Sequence, residues 1–205
     1  MNLLLLDHGA GNVTSVERAL HRLGAAPQRT TVPESLATAD AIILPGVGHY
    51  SALIRALDER QLRAPLVAAI QRGVPFLGIC LGLQALYKSS AEAPDLRGLN
   101  LLPGHITSLP ASVKLPHMGW NQLQLTRRSR LLANISPDAF FYFAHSFAAT
   151  EPNGEAVALC TYGTPFTAVI ERGNIYATQF HPEKSGAPGS LLLKNFLTLA
   201  SNPNS

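Results

Sequence analysis

The 205 residues are 46% hydrophobic and 14% charged, which suits one domain with a sizeable core and excludes disordered or collagen-like chains. Sixteen Lys and Arg against 13 Asp and Glu leave a net charge of +3, a mild bias without the dense basic stripe of a nucleic-acid binder; Arg127, Arg128 and Arg130 are the one tight cluster. Two cysteines cannot build a disulfide framework.

In chain order, Leu3–Leu6 is an apolar run that reads as a strand buried on both faces. It ends in Asp7-His8-Gly9-Ala10-Gly11-Asn12, and a helix follows. Thr14 and Glu17 fit a capping box, Val13, Val16, Leu20 and Leu23 share one face, and Gly24 is a stop. Pro27–Val32 and Asp40–Leu44 read as strands, the second running into Pro45-Gly46-Val47-Gly48. Ser51–Gln71 has a helical pattern broken near Pro65, and Gly73 closes it. Val74–Ile79 is a buried strand that runs directly into Cys80, with a helix expected over Leu83–Tyr87. Strands alternating with helices predict a parallel sheet. The second half reads as strands at Leu99–Leu102, Ile106–Leu109, Gln122–Leu125, Phe140–Phe143, Val157–Tyr162, Thr167–Glu171 and Ile175–Phe180. Arg172-Gly173-Asn174 is a hairpin turn. Gly189–Ala200 is a final helix. The expected architecture is α/β: one domain over residues 1–200, a mixed, mostly parallel sheet flanked by helices, with 201–205 a frayed tail. No apolar stretch approaches a membrane span and no signal-peptide pattern leads the chain, so a cytoplasmic protein with reduced thiols is expected. The low charge fraction hints at a surface covered by a partner.

Gly78-Ile79-Cys80-Leu81-Gly82 sits where a buried strand turns into a helix. A lone cysteine in an apolar strand is usually inert core. Glycines on both sides permit a sharp, strained elbow that lifts the side chain out, and a following helix favours thiolate and offers N–H groups to an oxyanion. Phe180-His181-Pro182-Glu183 follows another strand. In extended chain, His181 and Glu183 face the same side, so the carboxylate can orient the imidazole. Alone the motif would be a surface turn; with Cys80 it completes a Cys/His/Glu triad. Pro45-Gly46-Val47-Gly48 ends a strand at the same sheet edge, where ligands of parallel sheets bind. Cys160, inside a strand pattern, reads as core. Gly9-Ala10-Gly11-Asn12 lacks the third glycine and the Lys-Ser/Thr pair of a phosphate loop. The histidines show no metal-site spacing.

These segments, with Pro116-His117-Met118-Gly119-Trp120-Asn121, Tyr142-Phe143-Ala144-His145-Ser146 and Lys184-Ser185, resemble the class I (triad) glutamine amidotransferases. The Gly-Asn, Pro-Gly-Val-Gly and His-Met-Gly-Trp-Asn stretches narrow the resemblance to the glutaminase subunits of imidazole glycerol phosphate synthases. The resemblance implies a flavodoxin-like fold and hydrolysis of L-glutamine without a cofactor. It makes Cys80 the nucleophile, His181 the base and acid, and Glu183 its orienter. By the same resemblance the N–H groups of Val47 and Leu81 form the oxyanion hole, and Gly48, Gln84, Glu92, Ser146 and Phe147 bind glutamine. Asn12, Trp120, Tyr142 and Lys184 face a TIM-barrel cyclase that receives ammonia in a heterodimer, in histidine biosynthesis. Three residues depart from the family pattern: His8 and Phe147 stand where tyrosines are usual, and Leu83 where methionine is. Glutaminase subunits of pyridoxal phosphate or anthranilate synthase remain alternatives, although their loops differ from Pro45-Gly46-Val47-Gly48. A non-catalytic flavodoxin-like module holding phosphate at Gly9–Asn12 is the other.

Overall fold

A computed structural model describes residues 1–9, 12–151 and 154–202. The first half forms β1 (Leu3–Leu6), α1 (Val13–Arg22), β2 (Gln28–Thr30), β3 (Ala41–Gly46), α2 (Tyr50–Glu59), α3 (Arg63–Gln71), β4 (Phe76–Cys80) and α4 (Leu81–Gln84). Short β5 (Ser89–Ser90) and β6 (His105–Ser108) lead to β7 (His117–Gln122), β8 (Gln124–Leu125), β9 (Phe140–His145) and β10 (Phe147–Ala148). The chain closes with β11 (Ala156–Tyr162), β12 (Thr164–Arg172), β13 (Ile175–Thr178) and α5 (Gly186–Ser201).

The main sheet runs β2-β1-β3-β4-β13-β12-β11-β8. Its first five strands are mutually parallel, and β12, β11 and β8 extend it antiparallel. The apolar runs explain why both faces are covered. Leu3 and Leu5 enter one core with Val16, Leu20 and Phe196, whereas Leu4 and Leu6 enter the other with Leu53, Leu57 and Leu66. One-residue alternation thus feeds two helical layers.

Several element boundaries differ from expectation for local reasons. Asn12, not Thr14, is the N-cap of α1, and Glu17 lies 3.7 Å from Arg29 instead of closing a capping box. The break between α2 and α3 falls at Gln61, whose φ is +57°, while Pro65 sits in the first turn of α3, where a missing N–H costs nothing. Leu99–Leu102 is not a strand: the amides of Leu99, Leu101 and Leu102 turn back onto the carbonyls of Ala85 and Leu86. These residues are apolar because the loop packs into the core. β7 was absent from the expected strands, its pattern being interrupted by Gly119, and α5 starts three residues early at Gly186. Ser201 ends α5 and is not part of a frayed tail, while 203–205 lie outside the described residues. No helix is long and apolar enough to cross a membrane among the described residues.

Candidate active site

The register of the parallel strands brings three segments to one edge. Gly46, the last residue of β3, pairs with Cys80, the last of β4, and on the other side Thr178 of β13 pairs with Ile79. The chain leaving β13 therefore carries Gln179, Phe180 and His181 past the cysteine. Cys80 has φ +54° and ψ −103°, a conformation that L-residues avoid. The elbow exists because its flanks have no side chains. A Cβ on Gly78 would lie 2.6 Å from the Gly82 carbonyl oxygen, and one on Gly82 would lie 2.0 Å from that of Leu44. The helix after the elbow starts at Leu81, two residues earlier than expected, and has a single turn. Its dipole is correspondingly small, so the local N–H groups, not a long helix, carry the electrostatics offered to the sulfur.

His181 and Glu183 come together through a turn instead of the extended chain read from the sequence. Pro182–Lys184 is a 3₁₀ turn, and Nδ1 of His181 stands 2.9 Å from Oε1 of Glu183, with the carboxylate side chain fully buried. Burial alone would lower the imidazole pKa. The charge and hydrogen bond of Cys80, and those of Glu183, overcome that effect and hold it at about 10. His181 is thereby favoured as imidazolium beside the cysteine sulfur. Cys160 is the contrast: burial in an apolar strand pushes its thiol up to about 12.

A cleft opens over the sulfur, lined by Gly48, Cys80, Leu81, Gln84, Glu92, Ala144, His145, Ser146 and Phe147. All five residues expected to bind glutamine are in this lining. Glu92 gives it an acidic end; its Oε2 accepts from the N–H of Tyr50 at the start of α2, 2.9 Å. Phe147 contributes its backbone: the carbonyl accepts from Nε2 of Gln84 at 2.8 Å and from Nδ1 of His145 at 3.0 Å. A Cβ on Gly46 would meet that of Leu81 at 2.7 Å, so the segment entering Val47 lies tightly against the elbow. The Pro45 carbonyl is held by Nε2 of His8 at 3.0 Å. Leu83 is buried core. Of the Gly9-Ala10-Gly11-Asn12 loop, Ala10 and Gly11 lie outside the described residues.

Three of the four residues expected to face a partner form one cluster. Trp120, 55% exposed, packs edge-on to Tyr142 with centroids 5.9 Å apart, and Nζ of Lys184 stands 5.6 Å from the Tyr142 ring. Asn12 points elsewhere. It leaves its own helix uncapped, and its Nδ2 donates at 2.7 Å to the same Glu183 oxygen that His181 uses. Two further groups escaped the sequence reading. Gln179, wholly buried, places Nε2 3.6 Å from the Cys80 sulfur. His117 and His145 form a buried pair at 3.2 Å. A glutamine inside the apolar run Ile175–Phe180, just before the histidine, was the available signal for the first.

Comparison with known proteins gives the family. Residues 4–200 match the family described as glutamine amidotransferase class-I, and the chain belongs to that family. Its relatives are specific. The imidazole glycerol phosphate synthase subunit HisH of Methanothermobacter thermautotrophicus is 45% identical over 96% of this chain and 98% of its own. The subunit HisH of Desulfitobacterium hafniense (strain Y51) is 44% identical over 94% and 92%. A crystal structure described as that of a glutamine amidotransferase superposes with a TM-score of 0.76 over 97% of this chain and 98% of its own, at 19% identity, a likeness of fold.

Proposed function

We propose that this chain is a cytoplasmic glutaminase that hydrolyses L-glutamine and passes the ammonia to a TIM-barrel cyclase partner, as the glutaminase subunit of an imidazole glycerol phosphate synthase in histidine biosynthesis. The observation that carries this reading is the strained Cys80 beside the buried His181–Glu183 pair, in a cleft also lined by Gln84, Glu92 and Ser146. The similarity to HisH subunits supports the particular synthase.

In this reading the Cys80 thiolate attacks the side-chain carboxamide carbon of glutamine. The oxyanion forms against the N–H groups of Leu81 and Val47, each such donor being worth about 3 kcal/mol of barrier. His181, already protonated, gives its proton to the departing nitrogen, the C–N bond breaks, and ammonia leaves a γ-glutamyl thioester. The neutral imidazole then takes a proton from water, whose oxygen displaces the sulfur and releases glutamate. Glu183 keeps Nδ1 protonated, so that Nε2 handles both transfers. Glu92 suits the α-ammonium of the substrate, and Gln84, Ser146, Phe147 and Gly48 complete the cradle. Trp120, Tyr142 and Lys184 present an aromatic and cationic surface to the cyclase, close to the triad because Lys184 follows Glu183 directly.

An electrophilic glutamine analogue tests the assignment. Peptide mapping should find it on Cys80 and leave Cys160 unlabelled; label on Cys160 alone, or competition by other amino acids as strong as by glutamine, would refute it.

A further inference from the structure

A chain of hydrogen bonds runs from the far side of the cleft to the sulfur, and one carbonyl fixes its direction. The Phe147 oxygen can only accept, so both groups that touch it must donate. One is Nδ1 of His145 at 3.0 Å. That leaves Nε2 of His145 unprotonated, to accept from Nδ1 of His117 at 3.2 Å. The other is the amide nitrogen of Gln84 at 2.8 Å. The same nitrogen gives its second hydrogen to Oε1 of Gln179 at 3.1 Å. Gln179 therefore has only its amino end left, and that end faces Sγ of Cys80 at 3.6 Å. Flipping the Gln179 amide would set two N–H groups against each other and an oxygen against the sulfur. Gln84 and Gln179 are both buried, 1% and 0% exposed, so a mispaired amide there would be costly.

We propose that Gln179 is a positioning residue that holds the resting Cys80 as thiolate by donating an N–H to the sulfur. An N–H donor favours the charged form of sulfur over the thiol. It adds to the charge of His181 without being consumed in the proton transfers, and it lies on the side of the sulfur reached from β13. It also links the thiolate to Gln84, whose Oε1 has no partner among the described residues, so that the substrate cradle and the nucleophile share one rigid network. The inference rests on Cys80 being the nucleophile.

The test is the pH dependence of Cys80 alkylation by iodoacetamide in the full chain, read by peptide mapping, for the native sequence, Gln179→Glu and Gln179→Leu. Gln179→Leu removes the donor to sulfur without adding charge and carries the test; Gln179→Glu keeps an oxygen to accept from Gln84, removes the donor and adds a negative charge beside the sulfur. Gln179→Leu should move the midpoint up by about one pH unit, which slows alkylation about tenfold on the acid side, and Gln179→Glu should move it further. An unchanged midpoint in folded Gln179→Leu would overturn the proposal. Should neither variant fold, the side-chain amide resonances of Gln179 in the unaltered chain decide: they should titrate with the Cys80 midpoint, and flat resonances would refute the contact. If Cys80 of the native chain reacts no faster than Cys160, the fault lies with the nucleophile assignment itself.

Discussion

Replacing Glu183 by Gln isolates what charge contributes to the triad. The carboxylate is fully buried, and one oxygen takes two donors, Nδ1 of His181 at 2.9 Å and Nδ2 of Asn12 at 2.7 Å. An amide oxygen can accept both bonds, so the imidazole keeps its tautomer and loses only the negative charge beside it. At an effective dielectric near 20, two unit charges at this separation attract by about 6 kcal/mol. The amide dipole retains part of that, leaving a loss of roughly 2–4 kcal/mol in hydrolysis of the thioester, the step in which the neutral imidazole of His181 takes up a proton and becomes cationic. The expected fall in kcat is about thirtyfold to a thousandfold, since each 1.36 kcal/mol is a factor of ten. Wrong-tautomer variants of such triads lose about 10⁴. The pH profile carries a second signature. His181 is held up at about 10 partly by Glu183; without that charge its pKa falls, and the alkaline limb of kcat, where the imidazolium deprotonates, moves to lower pH. Steady-state glutamate release by the synthase complex from pH 6 to 10 measures both. A variant within twofold of the native rate, or with an unmoved alkaline limb, would refute the reasoning.

Two further outcomes follow from packing and burial. Gly82→Ala places a Cβ 2.0 Å from the Leu44 carbonyl oxygen; the elbow must shift, at a cost of about 3 kcal/mol and a fall of roughly 6–12 °C in Tm by calorimetry, and an unchanged Tm would contradict the close crossing. The buried His117 and His145 have pKa values pushed down by burial to about 4 and about 3. The unfolded chain takes up those protons first, near pH 6.5, so the stability they contribute is present above pH 6.5 and is lost as the pH falls toward 4. Urea unfolding should give about 2–4 kcal/mol less at pH 5 than at pH 7, with His117→Phe halving the difference; equal slopes in the two proteins would refute the assignment.

The parallel half of the fold was legible because its strands are buried on both faces and announce themselves as unbroken apolar runs, as at Leu3–Leu6 and Ala41–Leu44. Sequence patterns served less well where apolar residues fill the core from a loop, as at Leu99–Leu102, or where a glycine interrupts the alternation, as at Gly119 in β7. At the site, Cys80 and His181 were legible from local motifs, since glycines around a cysteine and a proline after a histidine have direct conformational meaning. The contacts of Asn12 with Glu183 and of Gln179 with Cys80 span 171 and 99 positions. Polar pairs that meet only when β1, β4 and β13 lie side by side leave no local trace. The turn that joins His181 to Glu183 shows the same limit: the pair was right, and the backbone that makes it is a 3₁₀ turn, not a strand.

The central claim is that the chain supplies ammonia through Cys80 and does nothing else to the partner's substrate. Replacing Cys80 by Ala removes the nucleophile and leaves a smaller side chain at the elbow. Assembled with the cyclase, the variant should lose glutamine-dependent synthesis of imidazole glycerol phosphate and keep the full rate when ammonium salt is supplied. A complex that assembles yet loses both activities, or one that still uses glutamine, would contradict the account.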